Sequence, residues 1–265
     1  MTDQPIGPKP QLSRDELADI NEVALWAGAL MLSGGSETDR IEETVHRMGT
    51  ALGANWLDIL VSPNAIILTS SSGEEFRTSV RRVPILGVNM RTLDEVNALS
   101  RRVTSGELDV HQTRGELARI SRLPRYNRWV VVLLVALACA AFARLFGGGL
   151  TDMLVTLVAS GAAMFVRQEM QHRHFNIYLT TLVTAFVGAS LALVAFRTGA
   201  TQTDIPLLSS VLLLVPGVHL INAAEDILKG HLVTGMVRGL LGAVIAACIA
   251  IGMAVAMWIF NLEII

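Results

Sequence analysis

Cysteine is nearly missing: the chain has two, Cys139 and Cys248, and both lie inside apolar runs. That excludes a disulfide framework, and the pair reads as small core side chains. A charge excess is missing too, since 21 Lys and Arg stand against 23 Asp and Glu for a formal net charge of −2. With no basic stripe and no interleaved aromatics, nothing in the sequence invites nucleic acid. The chain has no Gly-rich phosphate loop, no HExxH, no CxxC, and no Ser/His/Asp set that spacing alone would favour. No cofactor, no metal and no enzymatic activity are therefore expected. The opening residues, MTDQPIGPKPQ, lack the basic-then-apolar pattern of a cleavable signal, so the start of the chain is expected to stay in the cytoplasm, where it is made.

What the chain has in quantity is apolar surface: 52% hydrophobic residues and a mean hydropathy of +0.50. Charge divides it in two. Residues 1–128 hold 15 Lys/Arg and 17 Asp/Glu, whereas residues 129–265 hold only 6 and 6. The expected fold is an α-helical integral membrane protein with an N-terminal cytoplasmic α+β domain over 1–128 and a membrane domain over 129–265.

A helix needs about 20 apolar residues to cross a hydrocarbon core of roughly 30 Å. The second half offers five such runs, 129–146, 150–166, 177–196, 207–224 and 239–260, with GGG at 147–149 as a tight turn between the first two. Five buried helices of a soluble core would show polar faces to water, and these do not. Arg119, Arg122, Arg125 and Arg128 precede the first span, Arg167 and Arg173 follow the second, and Lys229 and Arg238 follow the fourth. Only Arg144 and Arg197 mark the opposite loops. The bias puts the N-terminus in the cytoplasm and the C-terminal NLEII in the periplasm, across a bacterial inner membrane.

In the first half, Ser13 with Glu16 forms a capping-box pattern, and Leu17, Ile20, Ala24, Ala27 and Met31 continue it as a helix to about Leu32. Gly34-Gly35 stops that helix, and Ser36 is expected to cap a second one carrying Ile41, Val45, Met48 and Leu52. WLDILV, AIILTSS and FRTSVRRV read as three strands, the third alternating Phe76, Thr78 and Val80 with Arg77, Ser79 and Arg81. Thr92 with Glu95 is expected to cap a further helix bearing Leu93, Val96, Leu99 and Val103, and a last helix is expected near 114–123. SGGSET at 33–38 reads as a helix stop followed by a cap rather than a nucleophile loop, and His46 and His111 are isolated.

The densest polar cluster near the membrane is in LLLVPGVHLINAAEDILKGH, 212–231. Pro216-Gly217 falls near the middle of the fourth span, where a proline removes a backbone hydrogen bond and frees carbonyls that lipid cannot satisfy. Broken helices of this kind build substrate sites in secondary transporters. His219, Asn222 and Asp226, three and four apart, share one helical face leading away from the break. Glu225 points about 100° elsewhere and Lys229 can pair with Asp226. Arg238 can snorkel to the interface or meet an anionic substrate. Small residues spaced by four, Gly235 with Gly239 and Thr184 with Gly188, favour close helix packing.

These stretches carry a resemblance. GALMLSGGSETDRIEETVHRMG, PNAIILTS, GVNMRTLDEV and RYNRW, followed by the spans and LLLVPG…LINAAEDILKGH…TGMVR, resemble the threonine/serine exporter family, nearest to the large subunit of its two-component form associated with succinate export. The resemblance covers nearly the whole chain. It implies an ion-driven inner-membrane exporter that works with a smaller multi-spanning membrane subunit, and it places Pro216, Gly217, Asn222, Asp226, Gly230 and Arg238 on the family motif without assigning roles.

The reading is a secondary exporter of small carboxylates, a succinate-like dicarboxylate first and threonine or serine second. Pro216, Gly217 and Asn222 are expected to contact substrate, Arg238 and Arg167 to attract its carboxylate, and Asp226 or His219 to carry the coupling proton, histidine because it titrates near neutrality. Lipid bilayer, substrate and the smaller subunit are the expected partners, with a homo-oligomer as a further option. A regulatory or scaffolding membrane subunit without transport of its own is the alternative from another class.

Overall fold

A computed structural model describes residues 11–84, 87–124, 126–201 and 204–261. MTDQPIGPKP, Arg125 of the RYNRW junction and the last four residues of NLEII lie outside the described residues. Among the described residues the chain is mostly helical with one three-stranded sheet. It forms two compact units. The first holds the residues up to Pro124 together with Val218–Gly239, and the second holds those from 126 to Gly217 and from Leu240 onward.

In the first unit, α1 (Arg14–Ser33) starts with the expected capping box: Glu16 N–H donates to the Ser13 hydroxyl while the Glu16 carboxylate accepts the Ser13 N–H. Helix α2 (Thr38–Ala51) buries Ile41, Val45 and Met48 completely, as their spacing requires. Its cap differs from the expectation. The N-cap residue is Glu37, which makes no side-chain cap bond, and the Ser36 hydroxyl finds no hydrogen-bond partner among the described residues.

Strands β1 (Trp56–Ser62), β2 (Ala65–Ser72) and β3 (Glu75–Arg82) form an antiparallel meander in that order, with Ser62 opposite Ala65 and Ser72 opposite Glu75. Leu57, Val61, Ile66 and Leu68 face the core against α1 and α2. On β3 the apolar alternation faces outward: Phe76 and Val80 are exposed while Arg77, Ser79 and Arg81 are half-buried. Helix α1 favours this facing, because the Arg81 guanidinium lies over the Trp26 ring at 5.6 Å, burying the long stem, and Asn21 donates to the Arg77 backbone carbonyl.

Helix α3 (Met90–Thr104) buries Leu93, Val96, Leu99 and Val103 as expected, but its cap is Asn89, which accepts the Thr92 N–H. Helix α4 (Val110–Ser121) starts before residue 114 because Asp109 and Gln112 close a capping box there.

In the second unit, α5 (Arg128–Leu145), α6 (Leu150–His172) and α7 (Ile177–Arg197) are each long and apolar enough to cross a membrane, as is α10 (Leu232–Ile259), which starts in the first unit and ends in the second. Helix α6 continues beyond 166 to His172, and α10 begins at Leu232 rather than 239. The fourth expected span, 207–224, is interrupted. Helix α8 (Ile205–Val211) tightens into a 3-10 turn, Leu212–Leu214, the chain breaks at Val215-Pro216, and α9 (Gly217–Leu228) follows. Among the described residues, counting that bent pair as one span gives five candidates, otherwise four. Small side chains let these helices approach closely: a Cβ at Gly188 on α7 would lie 3.4 Å from Ala163 and 3.5 Å from Ser210.

Candidate functional site

The first unit's second segment is a hairpin of α9 and the first turns of α10. Its turn is a Schellman motif, with His231 N–H donating to the Asp226 carbonyl at 2.8 Å and Gly230 N–H to that of Ile227 at 3.1 Å. Gly230 supplies the left-handed φ of 91° that this motif needs. Gly235 then lets α10 press onto α9, where a Cβ would stand 2.6 Å from Ile227 Cγ1 and 2.8 Å from the Ala223 carbonyl oxygen. Asp226 and Arg238 consequently face each other, Oδ2 to Nη1 at 2.8 Å, the carboxylate fully buried and the arginine 9% exposed.

This pair holds the 33–38 loop. Asn222 Nδ2 donates to the Gly35 carbonyl at 2.7 Å, Arg238 Nη2 to the Ser36 carbonyl at 2.8 Å, and Thr38 N–H to Asp226 Oδ1 at 2.9 Å. Asp226 thus supplies the cap that Glu37 does not, an acid placed at the positive end of α2. Gly35 has a φ of 87°, which turns its carbonyl toward Asn222. At the rim, Lys229 Nζ meets Glu225 at 3.0 Å, Glu37 at 3.1 Å and Asp39 at 3.2 Å, and the hydrogen bonds it donates to Glu225 and Glu37 hold the ammonium above its ordinary range. Burial pushes the Glu37 carboxyl up, with Glu225 beside it adding to the effect. Burial likewise raises Glu42, whose carboxylate lies 3.9 Å from His231.

Of the residues singled out in the sequence, Asn222, Asp226 and Arg238 meet at this junction. His219 is half-buried one turn before Asn222, within reach of the Arg238 charge. Pro216, Gly217 and Arg167 belong to the break. Pro216 has no N–H to offer Leu212, and Gly217 N–H donates to Val215 instead of continuing the helix, so the Leu213 carbonyl is released. Arg167 Nη1 takes it at 3.3 Å, and the Cys139 thiol lies against the same backbone group and Ser160. Sequence reasoning missed Ser36 and Thr38 as members of the site. Their buried hydroxyls, Ser36 at 4% and Thr38 at 0% exposure, have no hydrogen-bond partner among the described residues. The clue available was local: SGGSET joins two amphipathic helices with more small polar residues than a turn needs. Among the described residues, no group of His, Cys, Asp and Glu is arranged to hold a metal ion.

A family model described as "Putative threonine/serine exporter" matches residues 22–260, which takes in both the 33–38 loop and the α9–α10 hairpin. The chain belongs to the threonine/serine exporter family. It is 36% identical over 252 residues to the "Probable succinate transporter subunit YjjP" of Klebsiella aerogenes, covering 94% of this chain and 97% of that one. It is 33% identical to the protein of the same name from Escherichia coli, covering 90% and 94%. The "Threonine/serine exporter" of Corynebacterium glutamicum is 21% identical over 88% of this chain and 50% of its own length. No solved structure matches the chain. The relatives carry the names of transporter subunits and exporters, not of enzymes.

Proposed function

We propose that this member of the threonine/serine exporter family is the large subunit of a two-component secondary exporter that moves succinate-like dicarboxylates out of the cell. The observation that carries the reading is the near-complete match, at 36% identity, to a protein named as a succinate transporter subunit. The word subunit in that name supports a second chain, read here as a smaller multi-spanning membrane protein. Residues 1–128 lie in the cytoplasm and the remainder spans the inner membrane with its C-terminus in the periplasm; the Lys and Arg placement supports this orientation.

Geometry supports two carboxylate-reading positions. Arg238 is buried beside Asn222 at the loop, and Arg167 stands at the Pro216-Gly217 break. Asp226 Oδ1 accepts from the Thr38 N–H, and Oδ2 faces the Arg238 guanidinium at 2.8 Å. His219, half-buried and close to the same charge, is the freer proton carrier.

Efflux of labelled succinate and labelled threonine from cells lacking the protein, complemented with this chain alone or with its small partner, tests the reading. Succinate export restored only by both chains supports it. Threonine export instead would make it an amino-acid exporter, and no export of either label with both chains inserted would make it a regulatory subunit.

A further inference from the structure

We infer that the Asp226 carboxylate occupies a carboxylate seat formed by Arg238 and the N-terminus of α2, and that a substrate carboxylate exchanges with it. The inference rests on the exporter reading above and names the first binding event of that function. A helix N-terminus with a free N–H and a neighbouring guanidinium is a general anion-binding arrangement. Here an anion is already in place, but it belongs to the protein.

The protein's own carboxylate fits the seat incompletely. Oδ1 takes the Thr38 N–H at 2.9 Å, whereas Oδ2 and Arg238 Nη1 stand 2.8 Å apart off the hydrogen-bond axis, so neither atom gains an aligned bond. The Ser36 and Thr38 hydroxyls, on the two residues whose backbones bind Arg238 and Asp226, are buried and unpartnered among the described residues. Four polar atoms at one junction therefore have unused hydrogen-bonding capacity. Asp226 cannot use them all, because it is fixed to α9 and α9 is pinned by Asn222 and by Gly235. A free carboxylate can rotate to accept from Thr38 N–H, Arg238 Nη1 and a hydroxyl at once. Its entry would expel Asp226 and release from the loop the helix that begins at the Pro216-Gly217 break. A protein carboxylate of this kind acts as a built-in competitor that keeps the hairpin docked until substrate arrives.

Binding of succinate, threonine and chloride to the purified full-length protein in nanodiscs tests the idea by calorimetry. Asp226→Asn keeps an acceptor for Thr38 but removes the competing charge, so succinate should bind about tenfold more tightly, the gain expected if the latch is closed roughly nine-tenths of the time. Thr38→Val removes only an unpartnered hydroxyl; it should leave the unfolding temperature unchanged or higher and weaken succinate binding several-fold. If Asp226→Asn fails to fold, a Glu37→Cys/Lys229→Cys pair at the rim, in a Cys139→Ala/Cys248→Ala background, decides the matter: its disulfide should form more slowly with succinate present. A folded Asp226→Asn that binds no tighter, Thr38→Val binding like the parent, or a crosslinking rate indifferent to carboxylate would each overturn the seat. Threonine producing these effects in place of succinate keeps the seat and removes the succinate reading. Succinate export in cells without carboxylate binding at this junction removes the seat and keeps the export function.

Discussion

The Thr38 N–H donates to the Asp226 carboxylate at 2.9 Å, joining residues 188 positions apart in the chain. Through this bond the start of α2 depends on α9, and α9 in turn depends on Arg238 of α10. Three helices are secured by one buried acid.

Removing that acid should be costly in proportion to what it leaves behind. Asp226→Ala strands a buried guanidinium and an uncapped helix, for a loss of about 3–5 kcal/mol. Asp226→Leu combined with Arg238→Met removes both charges and should recover most of that loss. Thermal unfolding in detergent measures both, and equal losses in the single and double variants would show that the pair is not the source.

Close approach of α9 and α10 gives a sharper contrast. Gly235→Ala places a methyl 2.6 Å from Ile227 Cγ1 and 2.8 Å from the Ala223 carbonyl, which should cost about 1–3 kcal/mol in overpacking. Gly239→Ala, one turn on, meets Ala223 Cβ at an ordinary 3.6 Å and gains the higher helix propensity of alanine. Its unfolding temperature should equal or exceed that of the parent. The reverse order would mean the hairpin is not packed this way.

The features legible in sequence are those decided within a few residues. Ser13 and Glu16 cap α1 from three positions apart, and the strand turns fix a register that places Ser62 opposite Ala65. Pro216-Gly217 announced the break because proline cannot continue a helix whatever surrounds it. The same local logic points to Ser36 as the cap of α2, and there locality misleads. Asp226 outcompetes Ser36 through a contact that only the folded chain creates, and no spacing rule pairs positions 38 and 226. The inverted face of β3 has the same origin, since the Arg81 guanidinium finds the Trp26 ring of α1 only in the folded chain.

Glu42 makes a prediction about pH. Burial is the largest influence and raises its folded pKa above the ordinary value of 4.5, so the folded state holds the proton more tightly than the unfolded chain. The stability tied to this group is fully present below the unfolded value and is lost as pH rises through the folded one. Glu42→Gln, which cannot ionise, should therefore gain on the parent in unfolding temperature between pH 4 and 8. A gap that instead widens toward acid would mean that His231 and the Val61 hydrogen bond dominate over burial.

Arg167 and Pro216 should be energetically coupled, because the proline leaves the Leu213 carbonyl without a helical donor and the arginine supplies one at 3.3 Å. Arg167→Met strands that carbonyl in an apolar unit, a loss of about 1–3 kcal/mol, and should abolish efflux if the guanidinium also reads substrate. Pro216→Ala restores an N–H at the break and allows α8 to run on toward α9, giving the released carbonyls a backbone route to satisfaction. The cost of Arg167→Met should then shrink by about 0.5–3 kcal/mol in the Pro216→Ala background. Unfolding measurements on the two single variants and the double close the cycle. Additive losses would assign Arg167 to substrate alone, whereas coupling with efflux still absent would assign it both tasks, since restoring the helix can replace a hydrogen bond but not a positive charge.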